Sequence, residues 1–288
     1  MRKIGIDIGG TKMLGVVVES HDETHSVVDE VRVAAPVGGD IVPQIVAFVR
    51  SMGGAHTVGV GIAGLVRNDD VVVTTTHLPN VRGLELRGAL ESELGVPARV
   101  DNDATCAAVA EWRLGSARGI DEALVVTIGT GIGGGAIVGG RVVRGAHGFA
   151  GEFGHMVVVR DGESCPCGRR GCWECYASGR GISQSAGGIR AEDVLQRFVD
   201  GDEAARECVD SYAAWVALGL FDLTSAFDPS RIVLGGGLGA RHEVLPLIDA
   251  HFRTTFAGHA GRDLPQIVNA TLGYRAGAIG AAFVGAGD

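Results

Sequence analysis

Residues 3–20 read KIGIDIGGTKMLGVVVES, two apolar runs separated by a polar turn that contains two glycines. Apolar runs on either side of a glycine turn predict two strands, over 3–9 and 14–20, joined as a hairpin. The turn brings several backbone N–H groups and a lysine to one place, which suits phosphate oxygens. The sequence therefore predicts a first phosphate loop, formed by Gly9, Gly10, Thr11 and Lys12.

Asp7 ends the first predicted strand, directly before this loop. Mg²⁺ prefers hard oxygen ligands and keeps part of its water shell when it binds to a protein. Asp7 is therefore predicted to hold Mg²⁺ through water beside the phosphates.

The same order of apolar strand, glycine turn and apolar strand returns in ALVVTIGTGIGGGAIVGGRVVRG, residues 123–145. Its turn predicts a second phosphate loop. Another strand is predicted over 231–237, and LGGGLG at 234–239, which overlaps the end of that strand, predicts a third phosphate loop. The residues of these two loops are Gly129, Thr130, Gly131, Gly235, Gly236 and Gly237. One glycine turn alone is weak evidence of binding, so the interpretation depends on three such loops in this order. A dinucleotide fold would need its glycines to open a helix, whereas strand-like runs follow Gly10 and Gly135.

Helical spacing is predicted over 40–52, 84–95 and 203–226, with an alanine- and glycine-rich helix at the end of the chain. Two α/β halves that each begin with a hairpin indicate two related domains with a cleft between them. We expect an N-terminal domain over 1–117, completed by the C-terminal helix 274–288. We expect a C-terminal domain over 118–273, which includes the cysteine-rich segment 165–175.

DNDA, residues 101–104, lies where a predicted strand ends and a helix begins. Asp103 is a reasonable N-cap of that helix, and this is the commoner role for such an aspartate. Its other role would be to accept a proton from a hydroxyl group that attacks a phosphoryl group. Asn102 offers a donor and an acceptor, which suits a sugar hydroxyl.

The bulk composition excludes some classes of protein. The 288 residues carry a formal net charge of −9 and no block of lysine or arginine, which argues against nucleic acid or an anionic membrane as a partner. Asp7 interrupts the first apolar run of the chain, so no long apolar signal core is predicted. We expect a cytoplasmic protein, in which structural disulfides are disfavoured.

Four of the six cysteines lie in CPCGRRGCWEC, residues 165–175. Cys165, Cys167 and Cys172 can supply three thiolates, and His155 ten residues earlier can supply the fourth ligand of a tetrahedral zinc. A disulfide fits the compartment poorly, and Cys172-x-x-Cys175 lacks a thioredoxin-like setting. Zinc is thus preferred to both, and Cys175 is left either as a competing ligand or as a packing residue.

The three glycine loops resemble the phosphate 1, phosphate 2 and adenosine motifs of the actin, hexokinase and Hsp70 superfamily. This resemblance implies an α/β, two-domain, actin-like ATPase fold of the hexokinase and ribonuclease H type. The stretch 129–179, with glutamate, glycine and histidine followed by Cys-x-Cys-x4-Cys-x-Glu, resembles the ROK family. The similarity extends from DIGGTK to the terminal helix and is strongest with ROK glucokinases of high-GC bacteria.

The resemblance implies an enzyme that phosphorylates the C6 hydroxyl of a hexose with Mg·ATP, and glucose is the preferred substrate. It assigns the general base to Asp103 and sugar contacts to Asn102, Glu152, His155 and Glu174. His155 would use one ring nitrogen for zinc and the other for the sugar. A homodimer or tetramer is implied as well.

The sequence departs from the family pattern at three residues that bear on the choice of sugar, and the segment after Gly179 is shorter than in the family. His77 replaces the usual asparagine of NLP, Arg67 replaces the aspartate of GLVD, and Cys175 replaces alanine or glutamine. Mannose, fructose, N-acetylglucosamine and N-acetylmannosamine therefore stay as alternative substrates. 

A sugar-sensing ROK regulator is disfavoured because a phosphate loop that begins at residue 7 leaves no space for a helix-turn-helix. Polyphosphate is disfavoured as the sole phosphoryl donor because kinases that use it alone tend to lack the cysteines.

Overall fold

The structure, a computed structural model, describes residues 1–22, 24–36, 40–75, 78, 81–257 and 261–287. The chain divides into two compact units. The first unit consists of Met1–Gly119, Val142–Gly151 and Tyr274–Asp288, and the second of Ile120–Arg141 and Glu152–Gly273. The segment Val142–Gly151 thus belongs to the first unit, although it follows strands of the second. Within the described residues, no helix combines the length and the apolar character needed to cross a membrane.

In the described part of the first unit, a five-stranded sheet has the order β3-β2-β1-β4-β8. Its strands are β1 (Arg2–Ile8), β2 (Lys12–His21), β3 (Thr24–Ala34), β4 (Thr57–Ile62) and β8 (Ala98–Asn102). The short strands β5 (Gly64–Val66), β6 (Val71–Thr75) and β7 (Leu84–Glu85) form a small second sheet. The helices are α1 (Ile41–Ser51), α2 (Leu86–Leu94), α3 (Asp103–Arg113) and α10 (Ala276–Val284).

The predicted hairpin at the start of the chain is confirmed. β1 and β2 pair antiparallel, with Ile8 opposite Met13 across the turn. β1, β4 and β8 run parallel, and Asp7, Gly61 and Asp101 lie in register. The carboxyl ends of these three strands therefore share one edge of the sheet, where parallel α/β sheets place their ligands.

In the described part of the second unit, the main sheet has the order β11-β10-β9-β12-β13. Its strands are β9 (Ala123–Ile128), β10 (Ile132–Val138), β11 (Arg141–Val142), β12 (Arg231–Gly235) and β13 (Gln266–Asn269). The helices are α4 (Glu174–Ala177), α5 (Gly179–Ser185), α6 (Ala191–Val199), α7 (Glu203–Phe227), α8 (Gly236–Gly239) and α9 (Leu245–Thr255). One-turn 3₁₀ helices lie at Phe153–His155 and Gly273–Arg275.

The repeated hairpin is confirmed as well, because β9 and β10 pair antiparallel while β9, β12 and β13 run parallel. One strand boundary was wrong. The strand predicted over 231–237 ends at Gly235, since Gly236 has a φ of +78° and turns the chain into the short helix α8. An apolar run followed by three glycines does not by itself show which glycine makes the turn.

Candidate functional site

The first phosphate loop is the tight turn between β1 and β2. The Gly9 N–H donates to the Lys12 carbonyl at 3.0 Å, and the Ala35 N–H donates to the Thr11 carbonyl at 3.0 Å. These bonds hold the turn in place while Gly10, Thr11 and Lys12 stay exposed. The loop can therefore present N–H groups and an ammonium group to an anion without unfolding any strand.

Asp7 lies at the end of β1, beneath this turn, and against the first residues of α10. A Cβ atom on Gly277 would lie 2.8 Å from the Asp7 Oδ2 atom, so a glycine is needed there to make room for the carboxylate. Burial, and then the charge of Asp103, raise the pKa of Asp7 to about 7. A carboxylate held in this way gains from a nearby cation, which fits the predicted role of Asp7 toward Mg²⁺.

Asp103 is the first residue of α3, and its proposed role as the N-cap was wrong. Asn102 is the N-cap, because its side-chain oxygen accepts from the Thr105 N–H at 2.9 Å. The Asn102 amide also donates to the Gly64 carbonyl at 3.0 Å. An amide has two donor hydrogens and two acceptor lone pairs, so one of each is left for a sugar hydroxyl.

Because Asn102 caps the helix, the Asp103 carboxylate is not used as the N-cap, and it accepts from the adjacent Ala104 N–H at 2.9 Å. It is close enough to Asp7 for each charge to influence the other. The structure therefore brings Asp7, Asn102 and Asp103 together at one edge of the first sheet.

Arg144 is a neighbour of this motif that sequence reasoning missed. Its Nε atom donates to the Asp101 Oδ2 atom at 2.9 Å, while the Asp101 Oδ1 atom accepts from the Asn102 N–H at 2.8 Å. The Asp101 side chain is only 9% exposed, so the guanidinium supplies a counter-charge to a nearly buried carboxylate. The two residues are 43 positions apart, and no spacing rule could have paired them.

We predict that Arg144→Gln lowers kcat by about tenfold and the free energy of unfolding by about 1–3 kcal/mol, since it leaves a desolvated carboxylate beside Asn102 and Asp103. Arg144→Lys should recover part of both losses. Arg141→Gln, an equal change of charge at an exposed position, is the control. Steady-state kinetics and thermal unfolding test this, and an Arg144→Gln enzyme with unchanged kcat would contradict it.

The second and third phosphate loops lie next to each other in the second unit. Gly235 pairs with Thr127 in the parallel register of β12 and β9, so both loops leave the same edge of the sheet. The Gly129 N–H donates to the Gly131 carbonyl at 2.9 Å, and the Gly179 N–H at the start of α5 donates to the Gly129 carbonyl at 2.8 Å. The glycines of the two predicted loops therefore line the same edge of the second sheet, at the carboxyl ends of β9 and β12.

His155, Cys165, Cys167 and Cys172 form a cluster in which one potential ligand atom from each residue lies within 4.8 Å of all the others. The Cys165 sulfur is 3.7 Å from His155 Nδ1, and the Cys167 and Cys172 sulfurs are 3.6 Å apart. Zinc–sulfur bonds of about 2.3 Å in a tetrahedron place neighbouring ligand sulfurs about 3.7 Å apart. Both the donor set and these distances fit a structural zinc.

Glu152 and Glu174 lie on either side of the His155 ring. Glu152 Oε2 is 3.8 Å from Nε2, and Glu174 Oε1 is 3.8 Å from Nδ1. Nδ1 also faces the cysteines, so Nε2 is the ring nitrogen on the opposite side, next to Glu152. Glu174 is the first residue of α4, and a Cβ atom on Gly131 would lie 2.7 Å from its Oε2 atom. The Glu174 carboxylate therefore touches the second phosphate loop.

Cys175 lies outside the ligand set. It is 2% exposed and packs against Cys165, Cys172 and Tyr176, with its sulfur 3.8 Å from the Ser164 carbonyl oxygen. The packing role left open for Cys175 thus agrees with its surroundings. Of the other departures, Arg67 is exposed and pairs with Asp69 at 2.7 Å, and His77 lies outside the described residues.

Comparisons with known proteins agree along the whole chain. The ROK family pattern matches residues 3–286. A glucokinase of Streptomyces coelicolor is 38% identical to this chain. The alignment is 308 positions long, gaps included, and covers 97% of this chain and 96% of that protein. An N-acetyl-D-glucosamine kinase of Pectobacterium carotovorum is 33% identical over 302 residues, with 97% of each chain covered.

The fold agrees with solved structures of the same kind. A ROK family glucokinase from Streptomyces griseus, crystallised with glucose and AMPPNP, matches with a TM-score of 0.87 and 36% identity over 100% of both chains. A ROK hexokinase from Thermus thermophilus matches with a TM-score of 0.86 and 33% identity, covering 99% of this chain and 98% of that one. Together with the site geometry, these similarities show that the chain belongs to the ROK family and has its two-domain actin-like ATPase fold.

Proposed function

We propose that this chain is a glucokinase, which transfers the γ-phosphoryl group of ATP to the C6 hydroxyl of glucose. The observation that carries the proposal is the carboxylate of Asp103 at the carboxyl edge of β8, beside Asp7 and the first phosphate loop. The Streptomyces griseus relative, solved with glucose and AMPPNP, supports this choice of donor and acceptor.

In the reaction, Asp103 accepts the proton of the C6 hydroxyl as its oxygen attacks the γ-phosphorus. The bond from that phosphorus to the β–γ bridging oxygen breaks, and ADP leaves with the electron pair. Phosphoryl transfer requires mainly positioning and neutralisation of charge, so one well-placed carboxylate is enough acid–base chemistry. Asp103 is suited to this because Asn102, and not Asp103, satisfies the N-terminus of α3.

We assign the sugar contacts to Asn102, Glu152, His155 and Glu174. Carboxylates accept strong hydrogen bonds from sugar hydroxyls, and the Asn102 amide has one donor and one acceptor to spare. The His155 Nε2 atom can donate to a hydroxyl when Nδ1 is engaged on the cysteine side.

The three glycine loops are assigned to the phosphates and the nucleotide, with Lys12 and Thr130 as their polar side chains. Mg²⁺ would neutralise charge on the phosphates and is assigned to Asp7 through water. The raised pKa of Asp7 supports this, because a cation would offset the cost of burying the carboxylate and, after it, the repulsion from Asp103.

A structural zinc is assigned to His155, Cys165, Cys167 and Cys172. When bound, it would hold the four ligands in one tetrahedron and deprotonate the thiols. The Cys165 thiol donates to Glu174 Oε1 at 3.2 Å, and a thiolate has no hydrogen to donate. Metal binding would therefore release this carboxylate oxygen for a sugar hydroxyl.

A cytoplasmic location and a homodimer or tetramer stay predictions.

Initial rates with Mg·ATP and a panel of sugars test the choice of substrate. We expect kcat/KM for glucose to exceed that for mannose, fructose, N-acetylglucosamine and N-acetylmannosamine by at least about tenfold. ADP release and formation of the sugar 6-phosphate should be measured together, with no sugar as the control. Faster turnover of N-acetylglucosamine would instead favour the activity of the Pectobacterium relative. No sugar phosphate from any of the five sugars would refute the kinase assignment.

A further inference from the structure

Four basic side chains gather in the first unit at the end of α3 opposite to Asp103. Lys3 comes from β1, His25 from β3, Arg113 from the end of α3, and Arg118 from the loop that follows. An α-helix of 11 residues separates its ends by about 15 Å, so this basic cluster is remote from the proposed base.

The side chain of Phe283 in α10 shows that two of these groups lie together. The Lys3 Nζ atom is 4.7 Å from the centre of the Phe283 ring, and the His25 ring meets the same ring edge to face at 5.0 Å. Lys3 as a residue is only 7% exposed. The Lys3 ammonium group therefore lies over an aromatic ring that a second basic side chain also contacts.

The surroundings of the permanent cations in this cluster are unusual for an acidic chain. Among the described residues, Lys3, Arg113 and Arg118 form no ion pair with a carboxylate, although the chain has 34 acidic residues and a net charge of −9. The neighbours that affect the pKa of His25 are all cations. Burial, then Lys3, Arg113 and Arg118, lower it. Burial and Arg113 likewise lower the pKa of Lys3.

Arg113 shows what is missing from the cluster. Its guanidinium stacks 4.5 Å from the Trp112 ring, and its Nε–H is buried with no hydrogen-bond acceptor among the described residues. The dipole of α3 favours one cation at Arg113. It does not explain why β1 and β3 bring Lys3 and His25 to the same place. An anion that accepts hydrogen bonds from the terminal guanidinium nitrogens and from the Lys3 ammonium group would explain why these side chains are brought together.

We propose that the basic cluster is a second anion site, separate from the catalytic loops, which binds a small phosphate-bearing molecule. Guanidinium and ammonium groups donate charge-assisted hydrogen bonds to phosphate oxygens, and the arginine fork fits two of these oxygens at once. A bound phosphate would also offset the repulsion that Arg113 exerts on Lys3, and it would favour the charged form of His25. Free phosphate and a phosphate ester such as glucose 6-phosphate share this chemistry.

Thermal unfolding of the full chain at pH 7 tests the site, with inorganic phosphate as the probe and potassium chloride used to hold the ionic strength constant. A ligand that binds only the folded state, at a free concentration of ten times its Kd, should raise Tm by about 3 °C in a chain of this size. We expect a saturable rise of this size in the wild type. A parallel series with glucose 6-phosphate distinguishes an ester from the free ion, and a rise with either probe supports the site.

Two variants separate this site from phosphate bound at the catalytic loops. Arg113→Gln and Arg118→Gln should each lose at least about half of the rise, while Arg82→Gln, an exposed position in the same unit, should keep all of it. Arg118 is exposed, so its variant will fold even if Arg113→Gln does not. The side-chain NMR resonances of His25 should also shift with added phosphate in the wild type. No saturable rise in the wild type, or an equal rise in all variants, would overturn the proposal.

Discussion

Asp103→Asn is expected to lower kcat by about 10²- to 10⁴-fold, with little change in the affinity for glucose. Asparagine has nearly the same shape as aspartate, and its side-chain oxygen can still accept from the Ala104 N–H. It cannot accept a proton from the C6 hydroxyl. The variant therefore removes one chemical step and leaves the N-terminus of α3, which Asn102 caps, unchanged.

Three measurements make this result specific. Steady-state kinetics give kcat, equilibrium titration with glucose gives the affinity, and thermal unfolding shows whether the fold is retained. Asp69→Asn is a control, because it removes the same charge from an exposed position outside the site. A kcat within about twofold of the wild type would remove Asp103 from the role of general base, since such a group contributes at least about 100-fold.

Loss of one zinc ligand is the second change with a large expected effect. Cys172 is fully buried and faces Cys167, so Cys172→Ala removes a thiolate from the centre of the cluster. Structural zinc contributes apparent free energies of about 10–16 kcal/mol in small zinc-binding peptides. We expect the zinc content to fall from about one per chain to well below that, with Tm lowered by about 10 °C or more.

Activity should fall together with the metal content, because His155 is itself one of the ligands and its Nδ1 atom lies 3.8 Å from Glu174 Oε1. Cys175→Ala is the matched control: it removes a neighbouring buried thiol that lies outside the ligand set. This variant should keep about one zinc per chain and most of its activity. Elemental analysis, thermal unfolding and kinetics on both variants test the assignment. Wild-type protein that is free of zinc yet equally stable and active would rule out a structural zinc at this cluster.

Much of the fold could be predicted from local patterns. The hairpins at DIGGTK and TIGTGIGGG follow from apolar runs around glycine turns, and α2 ends at Gly95, which has a φ of +68°. The cysteine cluster could be predicted because its ligands lie within 18 residues and their chemistry restricts the choice of metal. In these cases the physical cause is local, so neighbouring residues are sufficient to reveal it.

Other features depend on contacts between distant parts of the chain. The side chain of Asn102, the N-cap of α3, is held by the carbonyl of Gly64, 38 residues earlier, and composition alone does not choose between adjacent Asn102 and Asp103 for this role. The gap of 43 residues between Asp101 and Arg144 is closed only because Val142–Gly151 returns to the first unit. The basic cluster likewise requires β1, β3, α3 and α10 to meet.

The sequence by itself determined the two hairpins, the glycine loops, the cysteine and histidine ligands, and the resemblance to the ROK family. The tertiary structure alone decided that Gly277 makes room for the Asp7 carboxylate and that Glu174 touches Gly131. It also decided that Lys3 and His25 both contact the ring of Phe283. Periodicity and turn chemistry act over a few residues and can be read along the chain. Burial and charge act through space, and the partners of each group are known only once the chain has folded.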